Sequence, residues 1–222
     1  MPIITLQNIN KDYRLGKVIL PALKNISLTV EEGEFLALAG PSGSGKTTCL
    51  NIIGCIDSPT SGKVLIDEED IADLSNDDLA EIRAAKIGFI FQNFNLLPVL
   101  TALENVEYPL LNQDFPESEK RALAEVALEH VGLLKFARHK PMELSGGQQQ
   151  RVAVARAIVG EPRVVLADEP TANLDHKTGE DILDLMKKIN RDKKTTFIFS
   201  THDQMIMDRA DRVVHLWDGE IR

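Results

Sequence analysis

No apolar run in this sequence is long enough to span a bilayer. The longest stretch without a charged residue, Ile87–Leu103, contains Gln92, Asn93, Asn95, Pro98 and Thr101. It falls short of the about 20 predominantly apolar residues a spanning helix needs. The opening residues, Met-Pro-Ile-Ile-Thr-Leu-Gln, lack a basic stretch and an apolar core, so no secretory signal is expected. Cysteine is scarce, with only Cys49 and Cys55. Taken as two positions on one helix, they lie roughly 9 Å apart along its axis, too far to bridge. Two buried thiols without a signal point to the cytosol. The five histidines show no metal-ligand spacing. An excess of positive charge is also missing: 25 Lys and Arg stand against 34 Asp and Glu, for a net charge of −9. Without a diffuse positive field the chain is not expected to bind nucleic acid, although a local phosphate site stays open. Internal repeats and low-complexity segments are absent.

What is present is ordinary for a globular protein: 222 residues, 43% apolar and 27% charged. That length allows one large domain or two small ones, and roughly 70% of the unfolded surface would be buried without any staple. Alternation over Ile3–Ile9 and Ile26–Val30 reads as half-buried strands, and Phe35–Ala39 as a buried one. Further strands are expected at Lys63–Ile66, Ile87–Phe91, Val164–Ala167 and Thr196–Ser200. Helices are expected at Thr47–Ile56, Asp77–Ala85, Glu117–Val131 (closed by Gly132), Gln149–Val159 and Thr178–Ile189. The apolar faces read as Leu123, Val126, Ala127 and Val131 in the third of these, and Ile182, Leu185, Met186 and Ile189 in the last. Strands alternating with helices favour an α/β fold with a mainly parallel sheet, the helical middle being an insertion between strands.

Gly40-Pro41-Ser42-Gly43-Ser44-Gly45-Lys46-Thr47 fits the G-x-x-x-x-G-K-[ST] phosphate loop at every fixed position, and it leaves an apolar strand to open a helix. Glycines at 40, 43 and 45 let backbone N–H groups converge on an anion, and the helix start faces it with its positive end. Lys46 reaches β- and γ-phosphates, and the Thr47 hydroxyl suits Mg²⁺. Ser42, Ser44 and Thr48 complete the expected nucleotide-binding set. A GTPase would need an Asn-Lys-x-Asp guanine reader after the loop; Asn10-Lys11-Asp12 has the wrong spacing and precedes it. The strand Val164–Ala167 ends in Asp168 and Glu169. Beside a phosphate loop, Asp168 suits the metal's water shell and Glu169 a general base toward the attacking water. Pro170 is expected to stop the strand.

A second anion-suited helix start is Leu144-Ser145-Gly146-Gly147-Gln148, with Ser145 as N-cap and two glycines exposing N–H groups. It lies about 100 residues beyond Lys46. With these two motifs the sequence resembles the ATP-binding cassette (ABC) ATPases, and it does so over essentially its whole length. The resemblance implies a P-loop NTPase (RecA-like) core, an N-terminal antiparallel β-subdomain and an inserted α-helical subdomain. Residues 1–222 would form one ABC ATPase domain: core plus β-subdomain at about 1–92 and 160–222, helical insertion at about 93–159. Ser145, Gly146, Gly147 and Gln148 look like the family signature. Tyr13 looks like the aromatic that stacks on adenine, Gln92 like the Q-loop glutamine and a metal ligand, Asp175 like the D-loop aspartate, and His202 like the switch histidine that steadies the γ-phosphate. A head-to-tail dimer is implied, in which the phosphate loop of one copy and the Ser145 segment of the other enclose each Mg-ATP.

Phe91–Leu100 is unusually apolar beside a catalytic loop, and a groove there would receive a short helix from a membrane permease. The chain is thus expected as a peripheral subunit on the cytoplasmic face of the inner (cell) membrane. Arg83-Ala84-Ala85-Lys86-Ile87-Gly88-Phe89, Asn95-Leu96-Leu97-Pro98 and Thr101-Ala102-Leu103-Glu104-Asn105-Val106 resemble the lipoprotein-release and macrolide-efflux branch. The alternative is a cell-division-type regulatory cassette that gates a membrane partner without moving substrate. Cassettes of DNA repair carry long insertions between phosphate loop and signature, for which this sequence has no room.

Overall fold

The computed structural model describes residues 1–222 except Asp73 and Asn112. The chain opens as a long antiparallel hairpin, β1 (Pro2–Leu15) and β2 (Val18–Glu31). Then come β3 (Phe35–Ala39), α1 (Lys46–Ile53), β4 (Ser61–Ile66), β5 (Glu69–Asp70), α2 (Asn76–Lys86) and β6 (Ile87–Ile90). Next are three helices, α3 (Ala102–Glu107), α4 (Glu117–His130) and α5 (Gly146–Ile158). The last part runs β7 (Val164–Asp168), α6 (His176–Lys193), β8 (Thr196–Thr201), α7 (Gln204–Arg209), β9 (Arg212–Trp217) and β10 (Glu220–Ile221).

Two sheets result. One is antiparallel in the order β2-β1-β4-β5; the other runs β10-β9-β3-β8-β7-β6, parallel except for β10. The parallel strands are apolar at consecutive positions because both faces are covered. Leu36, Leu38, Leu166 and Ile198 pack with α1 and the antiparallel sheet. Phe35, Ala37, Val165, Phe197 and Phe199 face the opposite way, toward α3–α6. Among the described residues no helix is long and apolar enough to cross a membrane.

Several expectations change in detail. Helix α1 stops at Ile53, and Cys55 beyond it takes a left-handed turn (φ +54). The two cysteines therefore do not share a helix; both are buried and free. Gly132 (φ +74) follows α4 as expected, but Val126 is half exposed and the face meeting α3 and α5 is Ala124, Ala127 and Leu128. On α6 the fully buried position is Leu183 rather than Leu185. Strand β7 ends at Asp168, before Pro170, because Glu169 turns left-handed (φ +45). The hairpin runs on to Leu15 and restarts at Val18; its tip residues are exposed on both sides and give no alternation to read.

Candidate active site

Parallel strands bring their carboxyl ends to one edge, where ligands of open α/β sheets sit. Strand β3 runs into the phosphate loop, β7 ends in Asp168, β8 leads to His202 and β6 to Gln92. Around a cavity of about 380 Å³ at this edge stand Ser42, Gly43, Gly45, Lys46, Thr47 and Thr48, facing Gln92, Asp168, Glu169 and His202. Ten of the residues singled out in the sequence thus meet in one place.

The loop is built for close backbone approach. Gly45 caps α1 at φ +103, and a side chain there would put its Cβ 2.7 Å from the Ala22 carbonyl. With glycine at the cap, no side chain occupies the first N–H groups of α1. Lys46 is buried, and its ammonium donates to the Gly40 (2.7 Å) and Pro41 (2.9 Å) carbonyls. The Thr47 hydroxyl lies 3.2 Å from both Asp168 oxygens, a set of hard oxygen donors suited to Mg²⁺. Glu169 is held from two sides: His202 Nδ1 is 2.7 Å from its Oε1, and the Thr201 hydroxyl donates to Oε2 at 3.4 Å. Thr201 also accepts from the Asp203 N–H, and Asp203 accepts from the Thr171 hydroxyl at 2.9 Å.

Of the predicted residues, Gly40, Ser44, Tyr13, Asp175 and the segment Ser145–Gln148 do not line this cavity. Tyr13 lies beside it: its hydroxyl donates to Asp57 at 2.9 Å, and Lys11 sits over its ring. Burial pushes the Asp57 carboxyl up, but hydrogen bonds from Lys11 and Tyr13 outweigh that and hold it below its ordinary value. Asp175 caps α6, accepting from the Thr178 N–H and hydroxyl, and lines a neighbouring cavity that shares Glu169 and His202. Ser145 caps α5 in a reciprocal box with Gln148. Gly146 and Gly147 form the first turn, and a Cβ on Gly147 would meet Thr178 at 2.5 Å.

Sequence reasoning missed the residues that tie these loops together. Asn173 donates to the Gln92 carbonyl and to Asn93, joining the β6 loop to the β7 loop. Arg156 of α5 donates to the Phe94 and Asn95 carbonyls. Ser200, also missed, lines the cavity. A hydroxyl inside the apolar strand Thr196–Thr201 was the available signal. On the other side of β6 an apolar groove of about 430 Å³ is lined by Ile87, Phe89, Phe91, Tyr108, Pro109 and Ala157 among others. Of the segment Phe91–Leu100, Phe91 lines it, while Leu97 and Val99 are exposed.

Residues 23–172 match the family described as ABC transporter, and the chain belongs to that family. It is 51% identical to an uncharacterized ABC transporter ATP-binding protein of Methanocaldococcus jannaschii, MJ0796, over 98% of this chain and 94% of the relative. A dimeric post-hydrolysis structure of that cassette, bound to ADP and Pi, superposes with a TM-score of 0.90 at 50% identity, covering 99% of this chain and 96% of the other. The lipoprotein-releasing system ATP-binding protein LolD 1 of Rhodopseudomonas palustris is 46% identical, over 99% of this chain and 98% of the relative. The macrolide export ATP-binding/permease protein MacB of Syntrophobacter fumaroxidans is 48% identical over the whole chain, which spans 31% of that longer protein. The fold is therefore the expected P-loop NTPase core with its antiparallel β-layer and inserted helices.

Proposed function

We propose that this chain is the ATP-hydrolysing subunit of a transporter, that two copies close head to tail on Mg-ATP, and that they drive a separate permease of the lipoprotein-release or macrolide-efflux type. The cavity carries the reading: a phosphate loop, a paired Thr47–Asp168 oxygen set and a carboxylate–imidazole pair open onto one space. Thr47 and Asp168, with Gln92, would hold Mg²⁺, which when bound offsets the charge of the β- and γ-oxygens. Backbone N–H groups of the loop and the Lys46 ammonium bind the triphosphate, Lys46 exchanging its loop carbonyls for phosphate oxygens. His202 turns to the γ-phosphate and frees Glu169 to accept a proton from the attacking water. The new P–O bond forms as the bond to the β–γ bridging oxygen breaks, leaving ADP and phosphate. Tyr13 would pack against the base, and Asp175 would meet the other copy.

The Ser145–Gly147 start of α5 supports the dimer, since none of these residues lines the phosphate-loop cavity of its own chain. The cassette with ADP and Pi, which is dimeric, supports it too. The apolar groove beside Phe91 supports the permease. The test is sedimentation of Glu169→Gln with saturating Mg-ATP. A dimer is expected; monomer alone would overturn the head-to-tail reading. Co-purification of a permease from native membranes tests the partner, and recovery of nucleic acid in its place would sink it. A change across the membrane without cargo movement would favour the gating alternative.

A further inference from the structure

Strand β8 lies between β3, which carries the phosphate loop, and β7, which carries Asp168. Its penultimate residue, Ser200, is paired in register with Leu38 on one side and Asp168 on the other. Ser200 shares its face of the sheet with Ile198, which packs toward α1, so its side chain points to the layer that holds Thr47. The residue is fully buried, lines the nucleotide cavity, and its hydroxyl has no hydrogen-bond partner among the described residues. Its carbonyl is already engaged, accepting from the Glu169 N–H at 2.9 Å. A buried hydroxyl without a partner is unfavourable, and alanine or valine would fill an apolar position without that penalty.

Ser44 also has a buried hydroxyl without a partner, yet it does not line the cavity and is packed against Gly40, where a Cβ would come within 2.7 Å of it. Among the described residues, Ser200 is thus the orphan donor that faces the site.

We propose that Ser200 is a further ligand-binding residue of the Mg-ATP site. Its hydroxyl donates to an oxygen of the bound metal–triphosphate, either a γ-phosphate oxygen or a water of the metal's shell. The inference rests on the reading of this cavity as a Mg-ATP site.

The test uses the full chain with Glu169→Gln, which keeps ATP intact, and compares it with the same chain carrying Ser200→Ala or Ser200→Thr. Calorimetric titration with Mg-ATP should show about tenfold weaker binding for Ser200→Ala, and Ser200→Thr, which keeps a hydroxyl, should recover most of it. The unliganded Ser200→Ala chain should melt at the same temperature as its parent or higher, because an unpaired group has been removed. A γ-phosphate contact leaves Mg-ADP affinity unchanged. A contact to the metal's shell weakens Mg-ADP as well and raises the Mg²⁺ concentration needed for binding. Equal Mg-ATP affinity in the Ser200→Ala chain and its parent overturns the assignment. So does weaker binding accompanied by a lower melting point of the unliganded chain, which would mark a packing defect. If the parent itself fails to bind Mg-ATP, the reading of the cavity falls, and this inference falls with it.

Discussion

Two helices in this chain begin at glycine-rich segments, and they begin in opposite ways. Helix α1 starts at Gly45 without any side-chain cap, and its first turn lines a cavity together with Asp168 of β7 and Ser200 of β8. Helix α5 starts at Ser145 with a complete capping box to Gln148; Ser145 is exposed, the glycines after it are partly buried, and none of them lines the phosphate-loop cavity. Neither has an acidic residue in its own first turn, so any negative partner for its positive end comes from elsewhere in the fold or from a ligand. The α1 end leaves its N–H groups for an anion and relies on the surrounding strands for its shape. The α5 end satisfies itself, so it is stable without a ligand and ready to meet a phosphate held elsewhere. A glycine-rich helix start can therefore be a finished site or half of one, and its cap shows which.

The sharpest break between the two ends comes at the carboxylate. Glu169→Gln should lower turnover by about 10²–10⁴-fold in a phosphate-release assay while Mg-ATP still binds. Lys46→Ala removes the buried ammonium and should weaken Mg-ATP binding roughly a hundredfold, read by titration; unchanged affinity would end the assignment of the α1 end. Ser145→Ala should destabilise the fold by about 1 kcal/mol in denaturant unfolding. It should leave Mg-ADP affinity of the single chain where it was. Loss of that affinity would mean that the two ends serve one site within one copy.

The smallest effect concerns the thiols. Burial pushes Cys49 on α1 up to about 12 and Cys55 up to about 11, so the reactive thiolate is disfavoured at neutral pH. Alkylation of the folded chain should be at least about a hundredfold slower than for a free thiol, and Cys49 should label only as α1 opens. Fast labelling of Cys49 with nucleotide affinity intact would show that α1 opens without disturbing the site.

Much of this could be read from the sequence because local chemistry and fold agree. The phosphate loop needs its glycines for backbone approach, and Asp168 and Glu169 stand out at the end of an apolar strand. Signals weaken where the reason is tertiary. The β9 strand, Arg212–Trp217, has Val214 and Leu216 inward but polar and charged residues around them, which blur its alternation. Helix α3 is a short turn of Thr101–Glu104 capping followed by buried Val106, too brief for a period to show. Asn173 and Arg156 work through backbone carbonyls of distant loops, and no spacing rule reports such partners. Ser200 looked like one more strand residue until the register set it beside Asp168.

The strand order has a consequence for synthesis. The neighbours of β3 in the sheet are β8 and β9, with Phe35 opposite Phe197 and Leu36 opposite Arg212. A chain emerging N-terminus first therefore exposes the Gly40–Thr47 loop long before either flank of its strand has been made. Such long-range parallel pairings form slowly, and until they form β3 is an unpaired apolar edge, open to aggregation. The element whose motif is plainest in the sequence thus waits for the end of the chain before it can take its working shape.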